Sequence, residues 1–371
     1  MPSERQREIF VSMHVDETPY FANDSLPTYS DCDYANERSV LLRGDCLEKM
    51  KMIPDRSVSL ILTDPPYHST KKKNIYGDTF FREDEDYLSW MTEVSKEWAR
   101  ILKLSGSVLC FCSSAMEAKL EAAFSSRFNT LNHIVWTKPN DPGFDGWKQK
   151  MNKGALRQWY AHSERAIFLG LAADGNLFRE PFANYIRENR LASGLTQKEL
   201  TELTGEYGKV NHGGAVANWE AGRNVPSEDQ YARICEAIIG TGKVESMLDY
   251  RNLVRPFLNG DTEPFTDIWE YPNVRPYKGK HPAEKPVEML SHVIEATTYP
   301  EDIVLDCFAG SGSSVASALS LGRRAIAIEI ESKWCDQIET LMRALSEFEP
   351  SDMPQISNYK KRLVDIQHSL F

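Results

Sequence analysis

Two apolar runs of strand length, Val58-Ser-Leu-Ile-Leu-Thr63 and Ile303-Val-Leu-Asp306, each end in a short motif suited to a tight loop. This combination restricts the fold most. Further strand-like runs are Val40–Leu42, Gly106–Phe111, His133–Trp136, Arg165–Leu169 and Ala325–Glu329. Between them lie helical segments at Cys46–Met52, Tyr87–Leu104 and Val315–Leu321. The second of these repeats apolar residues at Tyr87, Leu88, Met91, Val94, Trp98, Ile101 and Leu102. Strands alternating with helices predict an α/β fold, a mainly parallel, doubly wound, Rossmann-like sheet. Ligands of such sheets bind beyond the carboxyl ends of the strands. Gly44-Asp45 and Asp64-Pro65-Pro66-Tyr67 fall at such ends.

The length, 371 residues, suits one large α/β domain carrying a smaller module. The expected division is an N-terminal extension (1–37), a half with the Asp-Pro-Pro-Tyr motif (38–177), an all-helical module (178–245), a half with a glycine loop (246–347) and a tail of loop and short helix (348–371). The polar N-terminus lacks the features of a secretory signal. The apolar runs are too short for a transmembrane helix, so no membrane partner is expected. Seven scattered cysteines argue against a disulfide framework and for a reducing cytoplasm. Cys110-x-Cys112 has no second pair at zinc spacing, and no metal site is expected.

The net charge of −11 counts against nucleic-acid binding if only the sum is considered. Its distribution reads differently. Lysines and arginines gather at Lys71-Lys72-Lys73, at Lys148, Lys150, Lys153 and Arg157, and at Arg275, Lys278, Lys280 and Lys285. These clusters flank the two motifs and suggest a DNA-facing surface; the plainer alternative is three solvated loops.

Asp306-Cys-Phe-Ala-Gly-Ser-Gly-Ser-Ser314 joins a strand to a helix. Its glycines let the backbone turn tightly and approach a ligand, and Glu329, at the end of the next strand, stands where a Rossmann-like unit places an acid for ribose hydroxyls. The acid before the glycines suits the ammonium of a methionine moiety better than a pyrophosphate. A dinucleotide loop or a plain tight turn would share part of this pattern.

Asp64-Pro-Pro-Tyr67 is more specific. Two prolines fix φ at successive residues and remove two donors, which makes a rigid loop. Hydrogen bonds from an aromatic amino group to the Asp64 carboxylate and the Pro65 carbonyl would draw its nitrogen toward tetrahedral geometry and free its lone pair. Tyr67 would stack on the base, which must leave the duplex to be reached.

With these motifs the chain resembles the amino-methyltransferases of DNA, in the permuted group where the catalytic motif precedes the cofactor loop. Asp64, Pro65, Pro66 and Tyr67 match the catalytic motif. Asp306, Phe308, Gly310, Ser311 and Gly312 match the cofactor loop, and Glu329 matches the ribose acid. Asp45 resembles the acid on the cofactor's adenine side. His281-Pro-Ala-Glu-Lys-Pro286 resembles the segment that opens the cofactor half and brings in Lys285. Trp334 stands where the family often has an aromatic residue near adenine; a core role is the alternative. Cys307 departs from the frequent proline. The resemblance spans roughly 39–170 and 265–345. It implies a methyltransferase sheet, S-adenosylmethionine as cofactor and duplex DNA as substrate.

Residues 182–239 resemble a helix-turn-helix of the lambda-repressor/Cro type, carried by Gly194-Leu-Thr-Gln197, Leu200 and Trp219-Glu-Ala-Gly-Arg-Asn-Val-Pro226. Thr196 and Glu199 form an expected capping box. Gln197, Lys209, Asn211, His212, Asn218 and Arg223 are its candidate DNA contacts, beside Lys71, Lys72, Lys73 and Lys148 in the catalytic half. The module lies where the family keeps target recognition; operator binding for autoregulation is the alternative.

The resulting expectation is a cytoplasmic, nucleoid-associated, sequence-specific adenine-N6 DNA methyltransferase. An N4-cytosine enzyme or a regulator with a non-catalytic methyltransferase fold are the alternatives. A homodimer and a cognate restriction endonuclease are the partners the resemblance suggests.

Overall fold

In the computed structural model the described residues are 26, 32–68, 80–138, 153–157, 159, 162–172, 181–206, 214–258, 265–275, 277 and 280–346. The strands are Tyr34–Ala35 (β1), Ser39–Arg43 (β2), Val58–Thr63 (β3), Leu102–Cys112 (β4), Phe128–Thr137 (β5), Ser163–Leu171 (β6), Ile268–Glu270 (β7), Ile303–Asp306 (β8) and Arg324–Glu329 (β9). The helices are Cys46–Met50 (α1), Asp84–Ile101 (α2), Glu117–Phe124 (α3), Pro181–Ser193 (α4), Gln197–Leu203 (α5), Gly214–Glu220 (α6), Glu228–Ile239 (α7), Tyr250–Leu253 (α8), Val287–Thr297 (α9), Ser313–Ser320 (α10) and Ser332–Ser346 (α11). Two compact units result among the described residues: Ala172–Val254, and Leu26–Leu171 together with the chain from Arg255 onward.

The larger unit is built on one sheet of order β1-β2-β9-β8-β3-β4-β6-β5-β7. Its centre is parallel: β2 with β9, β9 with β8, β8 with β3, and β3 with β4. Such strands are covered on both faces and read as nearly continuous apolar runs. Alternate residues then serve two cores. Leu42, Ile61, Val108, Cys110, Leu305 and Ile326 belong to one cluster with Met91, Val94, Trp98 and Leu120 of α2 and α3. Leu41, Leu60, Leu62, Leu109, Phe111 and Ala327 belong to the other with Leu290 of α9, Ala316 of α10 and Ile338 of α11. Burying a side chain of this size stabilises the fold by roughly 1.5–3 kcal/mol, and the two-residue period fixes the register.

Beyond β4 the direction changes. β6 runs antiparallel to β4 and β5, so its first residues reach the edge where the parallel strands end. That reversal brings Ser163 and Glu164 beside Trp136 and Thr137, at the end of β5. The N-terminal extension also contributes: Tyr34 and Ala35 pair antiparallel with β2 at the sheet's margin.

Several boundaries differ from the sequence expectation. The helix expected to run to Leu104 ends at Ile101, because Leu102 already pairs with Val58 as the start of a long β4. The helix at 117–124 has little periodic signal, since it buries only Leu120 and Phe124. The tail beyond 346 lies outside the described residues.

The smaller unit holds α4 to α8 around Phe182, Ile186, Leu200, Val216, Trp219, Tyr231, Ile234 and Ile238. Thr196–Glu199 and Ser227–Gln230 form capping boxes at α5 and α7. Each satisfies two helix-end donors reciprocally. A buried ion pair joins Arg190 of α4 to Glu220 of α6, with Nη2 3.1 Å from Oε2.

Candidate functional site

The strand ends of the larger unit surround a pocket of about 600 Å³. That is within the range of small-molecule sites. Asp64, Pro65, Pro66 and Tyr67 leave β3 and form part of its wall; Asp306, Phe308, Gly310 and Ser311 leave β8 and form another part; Asp45 and Glu329 line it as well. The structure therefore gathers both sequence motifs into one cavity, as strand-end loops of adjacent parallel strands must be.

On the cofactor-loop side, two carboxylates are held by neutral donors. Asp306 accepts from Thr63 Oγ1 at 2.8 Å, from the Phe308 amide at 3.1 Å and from the Ser314 hydroxyl. Burial pushes its pKa up to about 6 against these hydrogen bonds, and neighbouring Asp64 adds to the rise. Glu329 accepts from the amides of Gly310, Ile330 and Glu331, each at 2.8 Å. Its pKa is also raised, by burial. Gly310 has φ +49° and Gly312 φ +79°. A Cβ on Gly310 would meet His281 Cε1 at 3.1 Å, and one on Gly312 would meet Ile338 Cγ1 at 3.1 Å. Both positions thus favour glycine for conformation and for space. His281, which burial and neighbouring lysines hold down at about 4, is neutral near pH 7.

On the side of Asp64, the charges are paired. Lys285 donates to Asp64 Oδ2 and lies 3.6 Å from Glu164 Oε2. Glu164 also receives Lys138 and the Tyr67 hydroxyl, the latter at 3.0 Å. Burial would push the Glu164 carboxyl up, but the Lys285 and Lys138 ammoniums hold it down at about 2. Asp64 is shifted upward by burial, with Lys285 offsetting only part of the rise. Its Oδ1 is buried without a hydrogen-bond partner among the described residues. Phe111 and Trp136 add an aromatic wall.

Some expectations change. Lys285, grouped with the cofactor loop on sequence, reaches Asp64 instead, because the turn before α9 points its side chain across the pocket. Gly312 and Trp334 are not among the lining residues; Trp334 is buried and holds His281 edge-on, ring centroids 4.6 Å apart. Asp45 does line the pocket while also capping α1, accepting from the Leu47 amide at 2.9 Å. Gln197, expected to reach for bases, donates to Glu220 at 2.6 Å inside the helical unit. Asn218 is half-buried and accepts from Arg223, whose side chain is exposed. Lys71, Lys72, Lys73, Lys148, Lys209, Asn211 and His212 lie outside the described residues.

Sequence reasoning missed Glu164 and Lys138. The visible signal is a lone acid at the head of an apolar strand, but assigning that end to the pocket requires knowing that β6 is antiparallel.

DNA adenine methyltransferase YhdJ of Escherichia coli (strain K12) is 26% identical over 333 residues, 89% of this chain and 90% of that protein. Type II methyltransferase M.BglII of Bacillus subtilis is 25% identical over 328 residues, 85% of this chain and 72% of that one. Among solved structures, the PvuII DNA methyltransferase (cytosine-N4-specific) shares the fold at a TM-score of 0.50 and 15% identity, over 90% of this chain and 95% of that one. The family described as DNA methylase, N6_N4_Mtase, matches residues 58–340, well over half of the chain, and the chain belongs to that family.

Proposed function

We propose that this DNA methyltransferase transfers a methyl group from S-adenosylmethionine to N6 of adenine in duplex DNA. The observation that carries the reading is the convergence of both motifs on one pocket, with Asp64 lining it at the end of β3 beside Pro65. An aromatic amino group is a donor suited to that carboxylate.

The cofactor fits what the loop offers. Asp306 is a buried carboxylate whose pKa burial raises to about 6, and among the described residues it is held by hydroxyl and amide donors. A ligand ammonium compensates it. Glu329 keeps acceptor capacity for hydroxyl groups, since three amides use only part of its lone pairs. Gly310 leaves the space that a side chain would fill. When bound, S-adenosylmethionine would supply an electrophilic methyl group on its sulfonium.

The chain's own residues orient the acceptor. Asp64 and the Pro65 carbonyl take the two amino hydrogens, which localises the nitrogen lone pair. Tyr67, tied to Glu164 through its hydroxyl, presents its ring to the base. Holding the nitrogen in line supplies most of the acceleration, as proximity and fixed dipoles do elsewhere. An extrahelical base is required, because the target nitrogen is out of reach inside a duplex. Aspartate as the first motif residue and the name of the Escherichia coli relative, DNA adenine methyltransferase, both favour adenine.

The helical unit selects the target sequence as a helix-turn-helix. Its capped α5, the short α6 and the buried Arg190–Glu220 pair support this reading. Arg223, exposed just past α6, is its foremost DNA contact among the described residues.

The test is to incubate purified protein with unmethylated duplex DNA and S-adenosylmethionine, then identify modified nucleosides by mass spectrometry. N6-methyldeoxyadenosine is expected. N4-methyldeoxycytidine would overturn the choice of base, and the absence of both on DNA of varied sequence would overturn the enzyme.

A further inference from the structure

The Asp64 side of the pocket contains more charge than an amino-group acceptor needs. Four ionisable groups stand in a row of alternating sign: Asp64, Lys285, Glu164 and Lys138. Lys285 is 7% exposed. Water therefore does little for its ammonium, which needs a protein acceptor in every state of the site. In the structure it takes Asp64 Oδ2, with the Ala283 carbonyl at 3.3 Å as a second contact. Its other carboxylate neighbour, Glu164, is 3.6 Å away. The Tyr67 and Phe111 rings lie beside it, their centroids 5.3 and 5.1 Å from Nζ.

Resting on the reading of Asp64 as the amino-group acceptor, we propose that Lys285 is a stand-in for the substrate's amino group, and that Glu164 is the carboxylate that draws it aside when the base arrives. The reasoning is competitive. On the same carboxylate an ammonium adds the attraction of a full opposite charge, which a neutral donor lacks. A neutral base amino group therefore loses to Lys285 unless the ammonium has an equivalent acceptor nearby. Glu164 is that acceptor. The exchange replaces one ammonium–carboxylate contact with another, and closing a 3.6 Å separation to a charge-assisted bond of about 2.8 Å takes a shift on the order of an ångström. Lys138, bonded to the other oxygen of Glu164, keeps that carboxylate ionised while leaving Oε2 for Lys285 and Tyr67. Because Tyr67 donates to the same oxygen, the displacement is coupled to the residue that faces the base. Glu164 and Lys285 are positioning residues in this scheme; neither makes or breaks the reacting bond.

A double-mutant cycle tests it. In Glu164→Gln the amide offers no charge to Lys285, which stays on Asp64. The expected result is a tenfold or greater fall in kcat/KM for DNA with cofactor affinity unchanged. In Lys285→Met there is no competitor to move, so adding Glu164→Gln lowers kcat/KM less than twofold. Equal losses in both backgrounds, with wild type active, would show that Glu164 only braces Tyr67 and would overturn the proposal alone. Complete inactivity of Lys285→Met with intact cofactor binding would overturn it too, since Lys285 would then be the counter-ion that Asp64 requires and not a competitor for it. A wild type that methylates no DNA would overturn this proposal and the underlying reading together. Should Glu164→Gln fail to fold, Glu164→Asp keeps the charge one methylene further back; an intermediate loss that vanishes in the Lys285→Met background supports the hand-over, and one that persists there overturns it.

Discussion

The two sides of the pocket solve the problem of buried charge differently. Around Asp64, the chain provides its own counter-ions, Lys285 and Lys138, and Glu164 completes a balanced row. Around Asp306 and Glu329, it provides only hydroxyls and amides. Burial then leaves the Asp306 carboxyl at about 6 while Glu164, less enclosed and doubly paired, falls to about 2. The contrast teaches what each side awaits. The balanced side fits a neutral base, and the unbalanced side fits a ligand that brings positive charge.

The largest expected effect comes from removing the acceptor on the balanced side. Asp64→Ala should lower the methyl-transfer rate by roughly 10³-fold or more, the scale of losing a key electrostatic contact in a catalytic site. Single-turnover assays measure it; a variant within tenfold of wild type would break the assignment of Asp64. Next is Gly310→Val on the other side. Its Cβ would press on His281 from a backbone at φ +49°, so cofactor affinity should fall at least tenfold, about 1.4 kcal/mol. Unchanged affinity in a titration would show that the loop does not carry the cofactor.

Asp306→Asn sharpens the comparison through pH. The folded-state pKa is raised from 3.8 to about 6, so the native state holds a proton that the unfolded chain has released across that interval. Stability of the cofactor-free protein therefore falls as pH rises through this window and stays lower above it. The asparagine variant escapes that penalty. At pH 7.5 it should be more stable, by an amount on the order of 1–2 kcal/mol, and the gain should disappear near pH 4. Denaturant melts at the two pH values measure this, and a variant less stable than wild type at pH 7.5 would mean that the carboxylate is already compensated. The smallest effect belongs to neither side. Arg223→Ala in the helical unit should leave cofactor affinity alone and reduce the slope of log affinity for DNA against log salt by about one. An unchanged slope would remove Arg223 from the DNA contacts.

Much of this contrast is legible in the sequence. Asp64, Tyr67, Asp306, Gly310 and Glu329 sit at ends of apolar runs, and parallel strands in one sheet bring their carboxyl ends to one edge. Chain order alone was enough to place them together. Glu164 and Lys138 were not legible, because their arrival depends on β6 reversing direction, and an apolar run such as Ala166–Leu169 is silent about its direction. Lys285 is legible as a site residue, grouped by sequence with the cofactor loop, and in the structure it donates to Asp64. Its neighbours in sequence lead into the cofactor half, while its four-carbon stem reaches back to Asp64. Gln197 is of a type that suits base reading, and in the structure its amide donates to the buried Glu220. Trp334 serves the site indirectly, by packing against His281.

The most direct test of this division is calorimetric titration of S-adenosylmethionine into wild type, Asp64→Ala and Asp306→Asn without DNA, at pH 7.5. Asp64→Ala should bind within about threefold of wild type, and Asp306→Asn should bind at least tenfold more weakly, about 1.4 kcal/mol. Equal loss in both variants, or loss confined to Asp64→Ala, would contradict the assignment of base and cofactor to opposite sides of the pocket.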